Sequence, residues 1–308
     1  MTQVVFFGTS EFAVPILEKL AQSPWRPQLV VSTPDSATGR GMKLSPPPVK
    51  IAAEKLGLPV IQPTRLSPIP DSLIPKADLF IVAAYGRILP PDLLKIPKRG
   101  SLNVHPSLLP AWRGASPIQR AIISGDEATG VTIILMDEKV DHGPIVKSSK
   151  FKVQSSKVTA PELTEILAKK AAGLLLETIP EWLAGNIKPQ PQDETKATYA
   201  PQLKKEDGRI NWSRPAEEIE RMVRAFQPWP GAYTFWRKGG KNIRLVIESA
   251  DRGELATSSS PAGTALAIRD GFAVNTGDET LAVRHLKAEG GKSMEAREFL
   301  RGHRDIIG

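Results

Sequence analysis

Asn103 and His105 stand two residues apart in the short run Ser-Leu-Asn-Val-His, which ends at Pro106. Period-two alternation along a strand puts both side chains on one face, near the strand's carboxyl end. Pro106 cannot donate the next ladder hydrogen bond, so the strand is expected to stop there. Two polar side chains on one face of a buried strand need partners or a task. A carboxylate follows at Asp141, just before a Gly-Pro turn at the end of a second apolar run. An amide, an imidazole and a carboxylate meeting in one crevice can run acyl transfer. The amide N–H and a protonated imidazole stabilise an oxyanion. The carboxylate orients and charges the imidazole, or helps to remove a proton. The same residues have an ordinary use as well, since a core histidine is usually scaffolding and an aspartate before a turn is usually a turn-former. Residue types alone leave both readings open.

Other chemistries are excluded or unsupported. The chain contains no cysteine, which rules out disulfides, thiolate zinc sites, iron–sulfur clusters and cysteine nucleophiles. The four histidines (His105, His142, His285, His303) include no H-x-x-x-H pair, so no metal is expected. Gly8 closes an apolar run, but the surrounding Phe-Phe-Gly-Thr-Ser-Glu-Phe lacks G-x-G-x-x-G, and no phosphate-cradling loop occurs elsewhere. Gly8 is expected to serve a tight strand-to-helix turn. The net charge of +8 is divided between the two halves of the chain, a mild attraction for phosphate backbones. No apolar stretch approaches the roughly 18 residues of a membrane helix. The N-terminus reads as a strand turning into a helix, not as a signal peptide, so a cytoplasmic location is expected.

The elements that must position the trio alternate in type through the first half. Strands are expected over 4–8, 28–32, 78–84, 100–104 and 130–136, and helices over 49–56, 116–123 and 162–183, with another from 9 or 10 to 20. Apolar strands separated by helices imply an α/β domain with a parallel sheet covered on both faces, whose ligands gather at the strands' carboxyl ends. Composition changes between 186 and 207, where Asn-Ile-Lys-Pro-Gln-Pro-Gln opens a polar stretch that reads as a linker. Beyond it, five short β-rich runs (232–236, 243–249, 264–268, 272–275 and 281–285) suit a small OB-like β-barrel. The expected division is 1–187 for the Rossmann-like α/β domain, 188–206 for the linker and 207–308 for the OB-like domain.

Longer stretches carry a resemblance. Residues 103–122, NVHPSLLPAWRGASPIQRAI, resemble the signature of folate-dependent formyltransferases, shared in part with those that act on glycinamide ribonucleotide. TYAPQLKKEDGRINWSRPAEEI (198–219), RAFQPWPGAYTFW (224–236) and GKSMEAREFLRG (291–302) resemble the methionyl-tRNA formyltransferase family in particular. The resemblance covers essentially the whole chain. It implies a Rossmann-like transfer domain, an OB-like tRNA-binding domain, 10-formyltetrahydrofolate as formyl donor, and initiator methionyl-tRNA as acceptor. It also implies that Asn103, His105 and Asp141 are the catalytic trio, and that Ser107, Leu108, Leu109 and Pro110 form the folate loop. His142 stands where members often carry threonine, and is expected to point to solvent.

On that footing the nucleophile is the substrate's own α-amine, which titrates at about 7.7–8.0 when free and lower beside an ester. The main demand is then charge on the formyl oxygen, assigned to Asn103 and His105. Asp141 is expected to hold His105 and to assist proton removal. Backbone groups near Tyr85 and Gly86 are expected beside the folate ring, although an ordinary strand-to-loop turn explains them equally. The long loop 32–50 is basic through Arg40, Lys43 and Lys50, with Asp35 opposing. The resemblance implies that it wedges into the tRNA acceptor end, with Arg40 as its key arginine. Arg237, Lys238, Lys241 and Arg244 surround a second-domain hairpin turn, which lies either on phosphate or simply in solvent. A small-amine formyltransferase, a non-catalytic RNA-binding protein and a folate hydrolase are the rival readings, and a monomer is expected.

Overall fold

The computed structural model describes residues 2–38, 43–67, 73–153, 157–256 and 260–307. The chain forms two compact units. One comprises Met1–Pro117, Glu127–Gln154 and Glu162–Pro201, and the other Ile118–Asp126, Ser155–Pro161 and Gln202–Gly308.

The strands of the first unit are Val4–Gly8 (β1), Leu29–Val31 (β2), Ser36–Thr38 (β3), Lys43–Ser45 (β4), Val60–Ile61 (β5), Leu79–Ala83 (β6), Ser101–His105 (β7), Ala128–Leu135 (β8) and Ile145–Lys152 (β9). The helices through this part of the chain are Val14–Ala21 (α1), Pro48–Lys55 (α2), Pro91–Leu94 (α3), Pro117–Ser124 (α4) and Ala160–Leu183 (α5). Every residue of β1 and β6 is buried, as expected of apolar runs covered on both faces. Helix α1 buries Ile16, Leu17, Leu20 and Ala21, a single stripe at helical spacing, and carries Pro15 in its first turn.

The main sheet has seven strands in the order β5-β2-β1-β6-β7-β8-β9. Strands β5 through β7 are parallel, and the chain's path outward to β5 and back to β6 places a switch point between β1 and β6. The expected all-parallel sheet is corrected at one edge, where β8 runs antiparallel to β7 and β9 antiparallel to β8. The last half of β9 alternates exposed and half-buried residues, the pattern of a strand with a solvated face. The expected 32–50 loop contains a strand pair, with β3 antiparallel to β4. Gly8 ends β1 just before the turn into the following helix, as expected, and packing adds a second reason for it. A Cβ there would lie 2.6 Å from the Phe6 ring and 3.2 Å from the Ala83 carbonyl oxygen, so close packing requires the glycine.

The second unit contains helix Ala216–Ala225 (α6), strands Ala232–Lys238 (β10), Lys241–Ala256 (β11), Ala265–Ile268 (β12), Gly271–Asn275 (β13), Glu279–Ala288 (β14) and Ser293–Glu295 (β15), and helix Ala296–Gly302 (α7). The strands form one antiparallel sheet in the order β10-β11-β14-β13-β12, with β15 on β14. Strand β11 runs longer than expected, and its register shifts against β14 at three places, which bend and curl the sheet. Ile219 and Val223 of α6, Trp236, Phe272, Leu281, Val283, Leu286 and Phe299 build its core. Pro215 leaves α6 without a side-chain cap of its own. Asp278, from the β13–β14 turn, supplies one by accepting from the Ala216 N–H at 2.8 Å.

Candidate active site

Strand β7 lies between β6 and β8, with Asn103 opposite Val82 and Ile134, and His105 opposite Thr132. Asp141 is brought to the same face by the turn that joins β8 to β9. The Asn103 side-chain amide donates to Asp141 Oδ1 at 3.0 Å. His105 Nδ1 lies 3.5 Å from Asp141 Oδ2, and the backbone N–H of Gly114 donates to that same oxygen at 2.8 Å. The imidazole is 4% exposed and the carboxylate 12% exposed. The three expected residues thus meet at one spot at the carboxyl end of β7.

The tautomer of His105 follows from its other contact. Nε2 lies 2.9 Å from the carbonyl oxygen of Trp112, which can only accept, so Nε2 carries a hydrogen. In the imidazolium form Nδ1 also donates, toward Asp141. In the neutral form Nδ1 is an acceptor facing a carboxylate, and a proton donor is needed between them. Trp112 and Asp141 both sit in the left-handed region, at φ 62° and 49°. Only Ala84, at φ 41°, shares that conformation among the described non-glycine residues, and it directly follows the neighbouring strand β6. Such backbone persists only where its surroundings over-determine it, and it concentrates at functional sites.

The segment after β7 is held from below by Thr132, a residue that sequence reasoning missed. Its hydroxyl donates to the Ser107 carbonyl at 2.7 Å and accepts from the Leu109 N–H at 3.1 Å. Ser107 is buried, and its hydroxyl donates to the Ala111 carbonyl at 2.6 Å. Leu109 is buried, Leu108 and Pro110 are half-buried, and the Leu109–Pro110 peptide is cis. At the end of β6 the Tyr85 carbonyl accepts from the Thr9 hydroxyl at 2.7 Å, while Gly86 is exposed at φ 81°. The Tyr85 ring is turned into the core against Phe7, its hydroxyl has no hydrogen-bond partner among the described residues, and burial pushes its phenol pKa up. Tyr85 therefore offers the site backbone, not side chain.

His142 does not simply point to solvent. Its Nδ1 lies 2.5 Å from Asp137 Oδ2, and its Nε2 3.6 Å from Glu194 Oε1. Gln192, in the stretch expected to be linker, donates from its amide to the carbonyls of Asp141 and Gly143, both at 2.8 Å. Neither partner was legible in a single sequence, because each bond spans about fifty residues. A surface hollow of about 300 Å³ lined by Lys98, Gly100, Leu135 and Trp182 lies instead toward the amino end of β7, away from the trio. Among the described residues no group of three or more histidines, aspartates or glutamates could hold a metal ion, and no helix is long and apolar enough to cross a membrane.

The expected basic residues fall into distinct environments. Arg40 lies outside the described residues, and Lys43 contributes backbone to β4. Lys50 is tied to Asp35 at 2.9 Å. In the second unit β10 and β11 form a hairpin through Gly239 and Gly240, both at positive φ, as a two-residue turn requires. Arg237 and Lys241 are exposed there. Lys238 Nζ sits 2.8 Å from His303 Nδ1 and over the Trp236 ring. The Arg244 guanidinium stacks 3.9 Å from the centroid of Tyr233. Arg237 and Arg244 share a face with Phe235, which is 47% exposed and has the Arg209 guanidinium 5.8 Å from its ring centroid.

Comparison with known proteins agrees with both units. The formyl transferase family model matches residues 1–179, and the formyl transferase C-terminal domain model matches residues 202–304. The methionyl-tRNA formyltransferase of Synechococcus sp. (strain JA-3-3Ab) is 42% identical over 99% of this chain and 97% of its own. That of Bacillus subtilis (strain 168) is 40% identical over 98% and 95%. Among solved structures, HypX from Aquifex aeolicus in complex with tetrahydrofolic acid superposes with a TM-score of 0.63 at 18% identity, over 99% of this chain and 48% of its own. The N-formyltransferase from Helicobacter canadensis, in complex with folinic acid and dTDP-3-aminofucose, superposes with a TM-score of 0.66 at 17% identity, over 92% and 99%.

Proposed function

We infer the reaction from the premise that this chain belongs to the formyl transferase family: it transfers the formyl group of 10-formyltetrahydrofolate to the free amino group of methionyl-initiator-tRNA, giving N-formylmethionyl-tRNA. The observation that carries the mechanism is the meeting of Asn103, His105 and Asp141 at the carboxyl end of β7.

The amine nitrogen attacks the formyl carbon and a tetrahedral oxyanion forms. One N–H of the Asn103 amide is spent on Asp141, and its second is left to donate to that oxyanion. His105 is proposed for the proton. Trp112 occupies Nε2, so Nδ1 is the nitrogen that accepts from the attacking amine. The imidazolium so formed lies between the Trp112 carbonyl and the Asp141 carboxylate, which both favour its charge. When the intermediate collapses, the bond to the folate nitrogen breaks and that nitrogen takes the proton. Residues Ser107 to Pro110, with the backbone of Tyr85 and Gly86, are proposed to seat the folate.

For the acceptor we propose contacts from Arg40 and Lys43 to the acceptor end, and from the hairpin to phosphate backbone. Of the hairpin cations, Arg237 and Lys241 are the ones free to meet phosphate, while Lys238 and Arg244 are engaged at home. In this reading residues 1–187 carry the chemistry with 190–200 packed onto them, 207–308 grip tRNA, and the protein works as a cytoplasmic monomer.

The test supplies formyl-folate with charged initiator tRNA, charged elongator methionyl-tRNA, or no acceptor, and follows acid-stable formylmethionine. Product with the initiator alone is expected. Formate released without acceptor would identify a hydrolase, and no turnover with any acceptor would remove the enzyme reading.

A further inference from the structure

We propose that the stretch from Gln190 to Ala200 is a strap that aims the catalytic carboxylate, with Gln192 as the positioning residue and the Arg113–Glu194 pair holding Gln192 in register. The inference rests on the reading of Asp141 as part of the catalytic trio.

Asp141 has two sets of restraints. Asn103, His105 and Gly114 hold only its side chain. Its main chain, in the left-handed region, is held from the other side. The two hydrogens of the Gln192 amide satisfy the carbonyls of Asp141 and Gly143, which flank His142. The remaining atom of that amide, Oε1, accepts from Arg113 Nε at 3.0 Å and Nη2 at 2.9 Å. The other edge of the guanidinium takes Glu194 in two-point contact, Nη1 to Oε2 at 3.0 Å and Nη2 to Oε1 at 2.6 Å. Arg113 is 2% exposed, and a buried cation needs a counter-charge. Glu194, 58% exposed, supplies it from the strap, and the Arg113 guanidinium holds its carboxyl below the ordinary value.

Arg113's neighbours in sequence distinguish this from an ordinary surface staple. Trp112, before it, gives its carbonyl to His105, and Gly114, after it, gives its N–H to Asp141. One residue thus grips the strap with its side chain while its neighbours' backbones hold two members of the trio. The strap's main chain keeps the same register. Gln190 pairs with Ile145 through two bonds. The Thr198 main chain pairs with Pro110 and Arg113 while its hydroxyl accepts from the Trp112 N–H, and the Ala200 main chain pairs with Arg113 and Ser116. A Cβ on Gly114 would lie 2.6 Å from the Ala200 carbonyl oxygen, so the strap lies flush on this loop.

The experiment compares Gln192→Glu, Gln192→Met, Glu194→Ala and Glu194→Gln in the full chain. Gln192→Glu keeps the acceptor for Arg113 but turns an oxygen toward the two carbonyls. Gln192→Met removes the bonds at similar volume. Both are expected to lower kcat per folded molecule by about 10- to 100-fold, since small misplacement of a catalytic group costs that much, with KM for both substrates near the parent value. Glu194→Ala and Glu194→Gln both take the counter-charge from the buried Arg113, and Gln also sets an NH2 against one of its N–H groups, so both are expected to follow the Gln192 variants. The ¹⁵N resonances of the His105 imidazole should move in the Gln192 variants and in both Glu194 variants. Parent kcat per folded molecule with unmoved imidazole resonances, whatever the change in Tm, overturns the proposal. If the parent protein itself fails to formylate charged initiator tRNA, the functional reading falls, and the imidazole comparison still decides whether the strap positions the trio.

Discussion

Asn103 and His105 do different work because their free hydrogens differ. Asn103 has one N–H in hand after serving Asp141, whereas His105 has already committed Nε2 to Trp112. Replacing Asn103 with alanine is expected to lower kcat by about 10²–10³, the usual cost of one oxyanion donor. Folate affinity, read by equilibrium titration, should stay near the parent value, and equal losses in both would assign Asn103 to binding. Thr132 acts one layer below. Thr132→Val would leave the Ser107 carbonyl and the Leu109 N–H unpaired in a buried place, at about 1–3 kcal/mol for each such group. Urea unfolding should register that loss, and KM should rise for the formyl donor more than for tRNA. A stability loss with KM unchanged would separate this loop from folate.

Elements decide how far such residues could be read in advance. Alternation along β7 was enough to put Asn103 and His105 on one face, and the apolar runs of β1 and β6 announced a covered sheet. The antiparallel return through β8 and β9 was not legible, because an apolar strand shows the same composition in either direction. Residues 190–200 misled for a different reason. Proline and polar side chains usually mark a linker, but here their partners lie on Pro110 to Ser116, Asp141 and Gly143, fixed only once the sheet exists. The β10–β11 hairpin was legible because Gly-Gly between β-rich runs is a local signal, although two of its four cations proved to be stacked or paired within the unit. Arg237→Ala and Lys241→Ala are therefore each expected to reduce the slope of log affinity for tRNA against log salt by about one, while folate binding stays unchanged. An unaltered slope in both variants would place the tRNA elsewhere.

Across the whole molecule, several carboxyls sit below their ordinary pKa. Gln62 and then Lys50 lower Asp35, Arg284 and then Lys157 lower Asp251, the Ala216 N–H lowers Asp278, and Arg113 lowers Glu194. Depressed folded-state values contribute stability that is complete above the unfolded carboxylate range, near 4, and is lost as pH falls through the lower folded values. The urea midpoint should accordingly hold from neutrality down to about pH 5 and decline below about pH 4, shallowly because most of these groups are exposed. A midpoint that rose on acidification would contradict this set of pairings. The last strand of the main sheet carries a separate consequence. Beyond Ile145, which Gln190 bridges, no described residue pairs with the outer side of β9 as a strand, and an unpaired ladder is a template on which another copy can grow. Lys150 and Lys152 share one face of that rim, while Lys147 is on the other face and paired with Glu177, so any newcomer would have to bring its backbone up beside two ammonium groups. Exchanging Lys150 and Lys152 for valine should therefore convert a self-limiting border into a sticky one, seen as a rise in light scattering with protein concentration.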